Sequence, residues 1–409
     1  MSVTQVKNFM EKSGCATMVA IAMALVFALG IIGTSCSRSD STSSQPAEND
    51  LLTVATVGTA KVSETQVEAI YQASQQQFEQ MMSQAGEFET TTPAQEAQGL
   101  ASAIFQAIEQ GVLLEVAAKN GVKMTDEEAK KFLREEVGKQ VNQMREMLVQ
   151  QGKLKATSTD KEFSDAFKAQ AGQTPEQAVE GQMQQVTSML ADPTQRASVM
   201  ASLTRQALLT KLGTGIAIAD EDLKKSRDVL TVQRIWIPVA ADEAKAKEQI
   251  EKALAEVKGG KPFGDVVQAY SKDLPEPKKS LKESQQSLPM QTVLSTPGLE
   301  SLKAVGAGQT SPVVKLDGGY AIYKVLKVQS NPIADFDKQK LSLREQVVQP
   351  LAAAKLEAEM KTTREASKVT WKSKGYEALY QVAQAQRDAT NPEAMLPAYR
   401  EAFDMAREA

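Results

Sequence analysis

Val232-Gln-Arg-Ile-Trp-Ile-Pro238 alternates as a half-buried strand does, with Val232, Arg234 and Trp236 on one face. The period then changes. Ile250, Leu254 and Val257 stand four and three apart and line one side of a helix, which Gly259-Gly260 ends with a left-handed stop. Lys261-Pro-Phe-Gly-Asp-Val-Val-Gln-Ala-Tyr-Ser-Lys-Asp273 predicts a second, shorter helix. After a polar excursion, Gly308-Gln-Thr-Ser-Pro-Val-Val314 and Gly319-Tyr-Ala-Ile-Tyr-Lys-Val-Leu-Lys-Val328 predict two strands. They meet through Asp317-Gly318-Gly319, where Asp-Gly signals a tight primed turn built from residues that tolerate positive φ.

Upstream of this stretch the pattern is helical. Leu51-Leu-Thr-Val-Ala-Thr-Val57 predicts a strand, and Ser63-Glu-Thr-Gln66 opens a helix as a capping box in which Gln66 reaches back to the first amide. Val67, Ile70, Tyr71, Phe78, Met81 and Met82 give that helix one apolar face. A second helix over about 95–118 carries Leu100, Ile104, Ile108 and Val112 and closes at Gly121. Thr125 with Glu128 caps the next one, and Thr174-Pro-Glu-Gln177 caps another, with proline where no amide is needed. Helix follows again from Ala201 to Leu212, and a short one lies around Ile218-Ala-Asp-Glu-Asp.

Downstream, Phe336, Leu343, Val347 and Leu351 form one helical stripe that Pro350 kinks or divides. Lys368-Val-Thr-Trp371 is extended and suited to pair with the strand at 51–57, which would bring both ends of the chain together. Tyr376 to Ala409 predicts two helices split at Asn391-Pro392, one bearing Tyr376, Leu379 and Tyr380, the other Leu396, Tyr399 and Phe403. A single hairpin of this kind cannot bury a continuous core alone.

At 409 residues the chain is long enough for two or three domains, and a formal charge of -4 gives no sign of a nucleic-acid partner. Histidine is absent, which excludes histidine bases, Ser-His or Cys-His nucleophile pairs and histidine metal ligands. Residues 14–35 carry no charge and follow Lys7 and Lys12, a run just long enough to span a hydrocarbon core of about 30 Å. The remainder is expected to be exported. Gly33-Thr-Ser-Cys36, followed by a Ser-rich stretch to residue 50, resembles a lipoprotein cleavage site with a tether. Three fates stay open: a lipid on Cys36, an uncleaved helix, or simple cleavage. The only cysteines, Cys15 and Cys36, lie in or beside this segment, so the exported body holds no disulfide.

The order "Gly-Lys-Pro-Phe … Tyr-Ser-x-Asp", "Gly-x-x-Ser-Pro-Val" and "Gly-Tyr-x-Ile-x-Lys-Val" resembles the parvulin-type peptidylprolyl isomerases, over about a quarter of the chain. The helical flanks resemble the arms of the SurA, PrsA and PpiD group of extracytoplasmic folding factors. The resemblance implies an α+β fold: a mainly helical SurA-like arm formed by both ends of the chain, with an inserted parvulin-like domain, a small antiparallel sheet flanked by helices. The segments expected are a cytoplasmic leader (1–13), a signal or anchor (14–35), a linker (36–50), a helical chaperone domain (51–228), a parvulin-like domain (229–328), a returning helix and strand (329–372) and a helical hairpin (373–409).

Rotation about an X-Pro bond crosses a barrier near 20 kcal/mol set by amide resonance and needs no covalent intermediate. The family lowers it with an apolar proline pocket beside two histidines and a cysteine or aspartate. By motif position these fall on Arg234, Ala321 and Asp273, and only Asp273 is a matching residue. The family's glycine-rich stretch is replaced by Leu274 to Met290, charged and without glycine, and the proline-pocket aromatic is replaced near Leu299. Arg234 and Asp273 read first as an ion pair inside a retained fold, and only second as catalytic. Met290 and Leu299 could line a shallow groove or belong to the core. Phe263, Tyr270, Pro312 and Tyr320 read as core or turn residues, with Phe263 and Tyr320 as further candidates for substrate contact.

Neither cofactor nor metal is expected, because no cysteine or histidine cluster exists and Asp126, Glu127 and Glu128 read as first-turn helix charges. The Gln- and Met-rich arms, with Gln75 to Gln77, Met81, Met82, Met144, Met147, Met183 and Met189, suit either adaptable binding or helix packing. The sequence therefore predicts a membrane-tethered folding factor that binds unfolded or nascent exported polypeptides, its isomerase activity weak or lost. The alternatives are an active isomerase using Asp273 and an apolar pocket, and an envelope scaffold that holds one defined partner.

Overall fold

The computed structural model describes residues 53–85, 93–239, 242–271, 285–388 and 396–407. The expected anchor segment 14–35, Cys15, Cys36, Asp273 and the expected split at Asn391-Pro392 lie outside them. The chain divides into two units. One takes the described residues up to Leu208 and from Glu359 onward, the other Leu209–Ala358.

The first unit opens on a hairpin, β1 (Thr53–Val57) and β2 (Ala60–Ser63), and then α1 (Glu64–Ala85) and α2 (Pro93–Lys119). Gly58 turns the hairpin at φ 56°, and the Glu115 carboxylate of α2 closes over it. That carboxylate accepts the Thr59 N–H at 2.5 Å, the Thr59 hydroxyl at 2.6 Å and the Ala60 N–H at 3.2 Å. Ser63 accepts the Gln66 N–H at 3.1 Å, as a capping residue does. The Gln66 side-chain nitrogen also donates across to Gln110 of α2 at 2.8 Å.

The hydrogen bond from Thr59 holds the Glu115 carboxyl below its ordinary value, with the two backbone amides and Lys119 acting in the same direction. A depressed folded-state pKa stabilises above the unfolded value and loses that contribution as pH falls through the folded one. The urea midpoint is therefore expected to drop below pH about 4.5. Glu115→Gln should lower the midpoint at pH 7 and flatten its acid limb. An unchanged limb would show that this clamp does not couple to folding.

Helices α3 (Asp126–Gln150), α4 (Asp160–Ala171), α5 (Pro175–Ala191) and α6 (Pro193–Thr214) follow. The boxes at Thr125 with Glu128 and at Thr174 with Gln177 form as expected, and a third at Thr159 with Glu162 joins them. Ala129, Leu133 and Val137 of α3 bury against Met183, Val186 and Leu190 of α5 and Val199 and Leu203 of α6. A second cluster gathers Leu148, Leu154, Phe163 and Phe167, with the Arg145 guanidinium 5.2 Å from the Phe163 ring centre.

In the second unit α7 (Asp220–Lys224) leads to β3 (Val229–Pro238), α8 (Glu243–Lys258), α9 (Phe263–Tyr270), β4 (Gln285–Pro289) and α10 (Met290–Ser295). A 3₁₀ turn at Glu300–Ala304, β5 (Val314–Leu316) and β6 (Gly319–Gln329) complete an antiparallel sheet in the order β4-β3-β6-β5. The α+β architecture expected from the sequence is the one the chain adopts, but β3 is not half-buried. Leu230 and Val232 pack on one face with Met290, Leu294, Leu299 and Leu302, and Ile235 and Ile237 pack on the other with Ile250, Phe263, Val266 and Val267. Helices cover both faces of the central strand, so the polar positions of the alternation are not solvent positions.

Two further expectations change. The left-handed conformation at the β5–β6 turn falls on Gly318 (φ 76°) without Asp317, the pattern of an unprimed turn. Residues 308–313 do not form a regular strand: they run beside β6, bonded by Gly308 to Val325, Gln309 to Val325 and Ser311 to Tyr323 around a bridge of Thr310 with Lys324, and Pro312, which has no N–H, interrupts the ladder before β5.

From α11 (Phe336–Ala366), which contains Pro350, the chain passes to β7 (Val369–Trp371), α12 (Lys374–Asp388) and α13 (Leu396–Arg407). β7 pairs antiparallel with β1, setting Ala55 against Trp371 and Val57 against Val369, as the sequence suggested. Arg364 grips Glu109 of α2 with two nitrogens, one at 2.7 Å from the carboxylate. α12 and α13 lie on α2: Phe105 stacks on Tyr380 at 5.8 Å, and Trp371 meets the same ring at 5.2 Å. Burial, with Glu64 and Glu68 of α1 nearby, pushes the Tyr376 hydroxyl up to about 12.

Candidate functional site

The two positions that would carry the family's histidines lie on neighbouring strands. In the sheet register Arg234 of β3 stands opposite Tyr323 of β6, and Trp236 stands opposite Ala321. Arg234 is half-buried and its guanidinium lies 5.3 Å from the centre of the Trp236 indole. Ala321 is 0% exposed and Tyr323 is buried in the same cluster as Met290, Leu299 and Leu302. This face of the sheet is apolar and packed.

The backbone here is held by two serines that sequence reasoning did not single out. Among the described residues β4 pairs with β3 as far as Gln233, and farther along β3 the Ser271 hydroxyl accepts the Trp236 N–H at 2.9 Å. Ser311 accepts the Tyr323 N–H at 2.9 Å and donates to the Pro312 carbonyl at 2.8 Å. Both are the serines of the motifs that carried the family resemblance, and both do the work of missing ladder partners. A motif serine beside a proline or at a helix end was the available signal.

The sequence candidates divide between two places. Met290 and Leu299 are brought together in the cluster under Arg234 and Ala321, at 5% and 3% exposure. Phe263 and Tyr320 sit in the cluster on the opposite face of the sheet. Tyr320 donates its hydroxyl to Glu243 of α8 at 2.8 Å, and the same carboxylate takes the Lys315 ammonium. That bond raises the phenol above its ordinary value, while the Lys315 and Tyr320 bonds lower the carboxyl. Tyr270 donates to Glu256 at 2.6 Å. These groups are engaged in packing and in bonds within the unit. Asp273, and with it the expected pairing to Arg234, lies outside the described residues, as does Cys36.

The helical unit offers a different surface. A groove of about 810 Å³ runs between α3 and α5, walled by Lys130, Lys131 and Arg134 on one side and by Glu180, Met183 and Thr187 on the other. Met183 and Met189 serve mainly the core between these helices, and Met144 packs against the Phe163 cluster.

Residues 5–158 match the family described as the SurA-like N-terminal domain. No curated protein matches the chain. Among solved structures, the chain is similar to the peptidylprolyl isomerase PrsA of Bacillus anthracis at 17% identity, covering 64% of this chain and 96% of that one with a TM-score of 0.29. The foldase PrsA of Streptococcus pneumoniae matches at 16% identity over 68% and 94%, with a TM-score of 0.24. A structure described under two related SurA-like chaperones of Campylobacter jejuni, PEB4 and Cj1289, matches at 14% identity over 78% and 98%, with a TM-score of 0.22.

Proposed function

We propose that this chain, whose residues 5–158 match the SurA-like N-terminal domain family, is a membrane-tethered, extracytoplasmic folding factor that holds non-native exported polypeptides, its isomerase activity weak or lost. The observation that carries the second part is the packed sheet face. Arg234 and Ala321 stand where the family places histidines, and Ala321 is sealed in a cluster with Met290 and Leu299. A twisted amide needs oriented polar groups in a proline-sized hollow, whereas around Ala321 the described residues of this face are mainly aliphatic and aromatic. Tethering is supported by the uncharged run 14–35 behind Lys7 and Lys12, with Cys36 as a lipid acceptor in the alternative form. Holding of clients is supported by the SurA-like domain and by the open groove on its helices.

The full chain in a mild detergent should suppress aggregation of an unfolded test protein at near-stoichiometric ratio, and leave the slow, proline-limited phase of a refolding substrate unchanged. Clear acceleration of that phase, abolished by Asp273→Ala, would replace this reading with that of a working isomerase. Failure to suppress aggregation would remove the chaperone role. Mass analysis of the mature amino terminus decides between lipid, helix and cleavage.

A further inference from the structure

The groove on the helical unit has a charge pattern that the holding role alone does not require. We propose that it seats client segments in which aliphatic or aromatic side chains are flanked by Asp or Glu, an inference that rests on the chaperone reading above. Lys130, Lys131 and Arg134 stand at i, i+1 and i+4 on α3, so they crowd one wall within a single turn. Glu180 is the one acid among the lining residues. It reaches Arg134 only at 3.9 Å, with both side chains more than half exposed at 59% and 64%. Pairs of that kind contribute little, so a client carboxylate can take over Arg134 at small cost. Lys130 also acts on Asp126, whose carboxylate is already bound by Arg196 at 2.7 Å. Lys131 makes no ion pair among the described residues.

Below the cations the groove is aliphatic. The stems of the lysines and the arginine form one wall, and Met183, a side chain that adapts to varied shapes, lies at the base of the other. Thr187 donates its hydroxyl to the Met183 carbonyl at 2.7 Å, so its hydrogen is committed within the helix. An apolar side chain can settle between the stems while flanking carboxylates meet the ammonium and guanidinium groups. A segment flanked by Lys or Arg meets three like charges there.

The test uses the full chain in a non-ionic detergent and two fluorescent peptides that share one apolar sequence, the first flanked by Asp and Glu, the second by Lys. The acidic peptide should bind about tenfold tighter at low salt, which is about 1.4 kcal/mol. The advantage should shrink near 1 M salt, where screening acts within about 3 Å. The variant Lys130→Glu/Lys131→Glu/Arg134→Glu, whose changes lie at the groove surface, should reverse the preference at unchanged melting temperature. Equal binding of both peptides, or a preference that survives the reversal, overturns the inference while the chaperone reading stands. Loss of both peptide binding and aggregation suppression in the unaltered chain overturns both.

Discussion

Cutting the chain after Ala366 is expected to leave the helical unit unable to fold. The cut removes β7, and with it the ladder that sets Ala55 against Trp371 and the bond from the Lys372 N–H to the Val54 carbonyl at 2.9 Å. It also removes α12 and α13, which cover α2 with the buried side chains of Leu379, Tyr380 and Tyr399. Burying three side chains of this size contributes roughly 5–9 kcal/mol, against about 5–15 kcal/mol for a whole domain. The exposed face of α2 is strongly apolar, so the expected outcome is loss of soluble protein and rapid proteolysis within 93–119. Tyr399→Ala is the milder version. At 1% exposure it should cost about 3–5 kcal/mol, read as a lower urea midpoint of the full-length protein. A truncated chain that stays monomeric and melts like the intact one would show that the two ends of the chain do not form one core. The same packing bears on the scaffold alternative, because the apolar residues Leu379, Tyr380, Tyr399 and Ala402 are already buried and do not offer a free face to a partner.

How far the sequence could be read depended on whether the signal was local. The boxes at Thr125 and Thr174 need only four residues in a row and were legible, and the Thr159 box with Glu162 carries the same signal and could have been found. The pairing of 53–57 with 369–371 was legible because β-rich runs stand alone between helices at both ends. β4 was not. Gln285-Gln-Ser-Leu-Pro289 has no alternation and four of its five residues are exposed, so it becomes a strand only because the edge of β3 at Val229–Gln233 accepts it. The alternation of β3 misled for a related reason: it reads as a half-buried strand, yet Gln233 is buried and apolar clusters lie on both faces, because burial here is set by helices that arrive from elsewhere in the chain. The candidate site shared this limit. The positions of Arg234 and Ala321 on facing strands followed from motif order, whereas the filling of their face by Met290, Leu299 and Leu302 depends on α10 and the 3₁₀ turn, neither of which the polar stretch announced.

That filled face gives the second large effect, which concerns Ala321→His. The residue is 0% exposed, stands across the ladder from Trp236, and shares its cluster with Tyr323, Leu299 and Val314. An imidazole adds a five-membered ring where the neighbours already touch, and overpacking costs about 1–3 kcal/mol. Its ring nitrogens also enter an apolar cluster, and an unsatisfied polar group there costs about 1–3 kcal/mol more. The second unit should therefore unfold at distinctly lower denaturant, with no gain in the rate of proline-limited refolding. Arg234→His is the control. Arg234 is half-buried beside Trp236, so the substitution trades a cation over the indole for a smaller ring and should shift stability by no more than about 1 kcal/mol. Together the two variants restore the family's pair of histidines on paper, yet Ala321 lies buried in one cluster with Met290, Leu299 and Leu302. Should the doubly substituted chain keep its stability and accelerate refolding, the face would have to contain an open pocket, and the reading of a core closed over the site would fall.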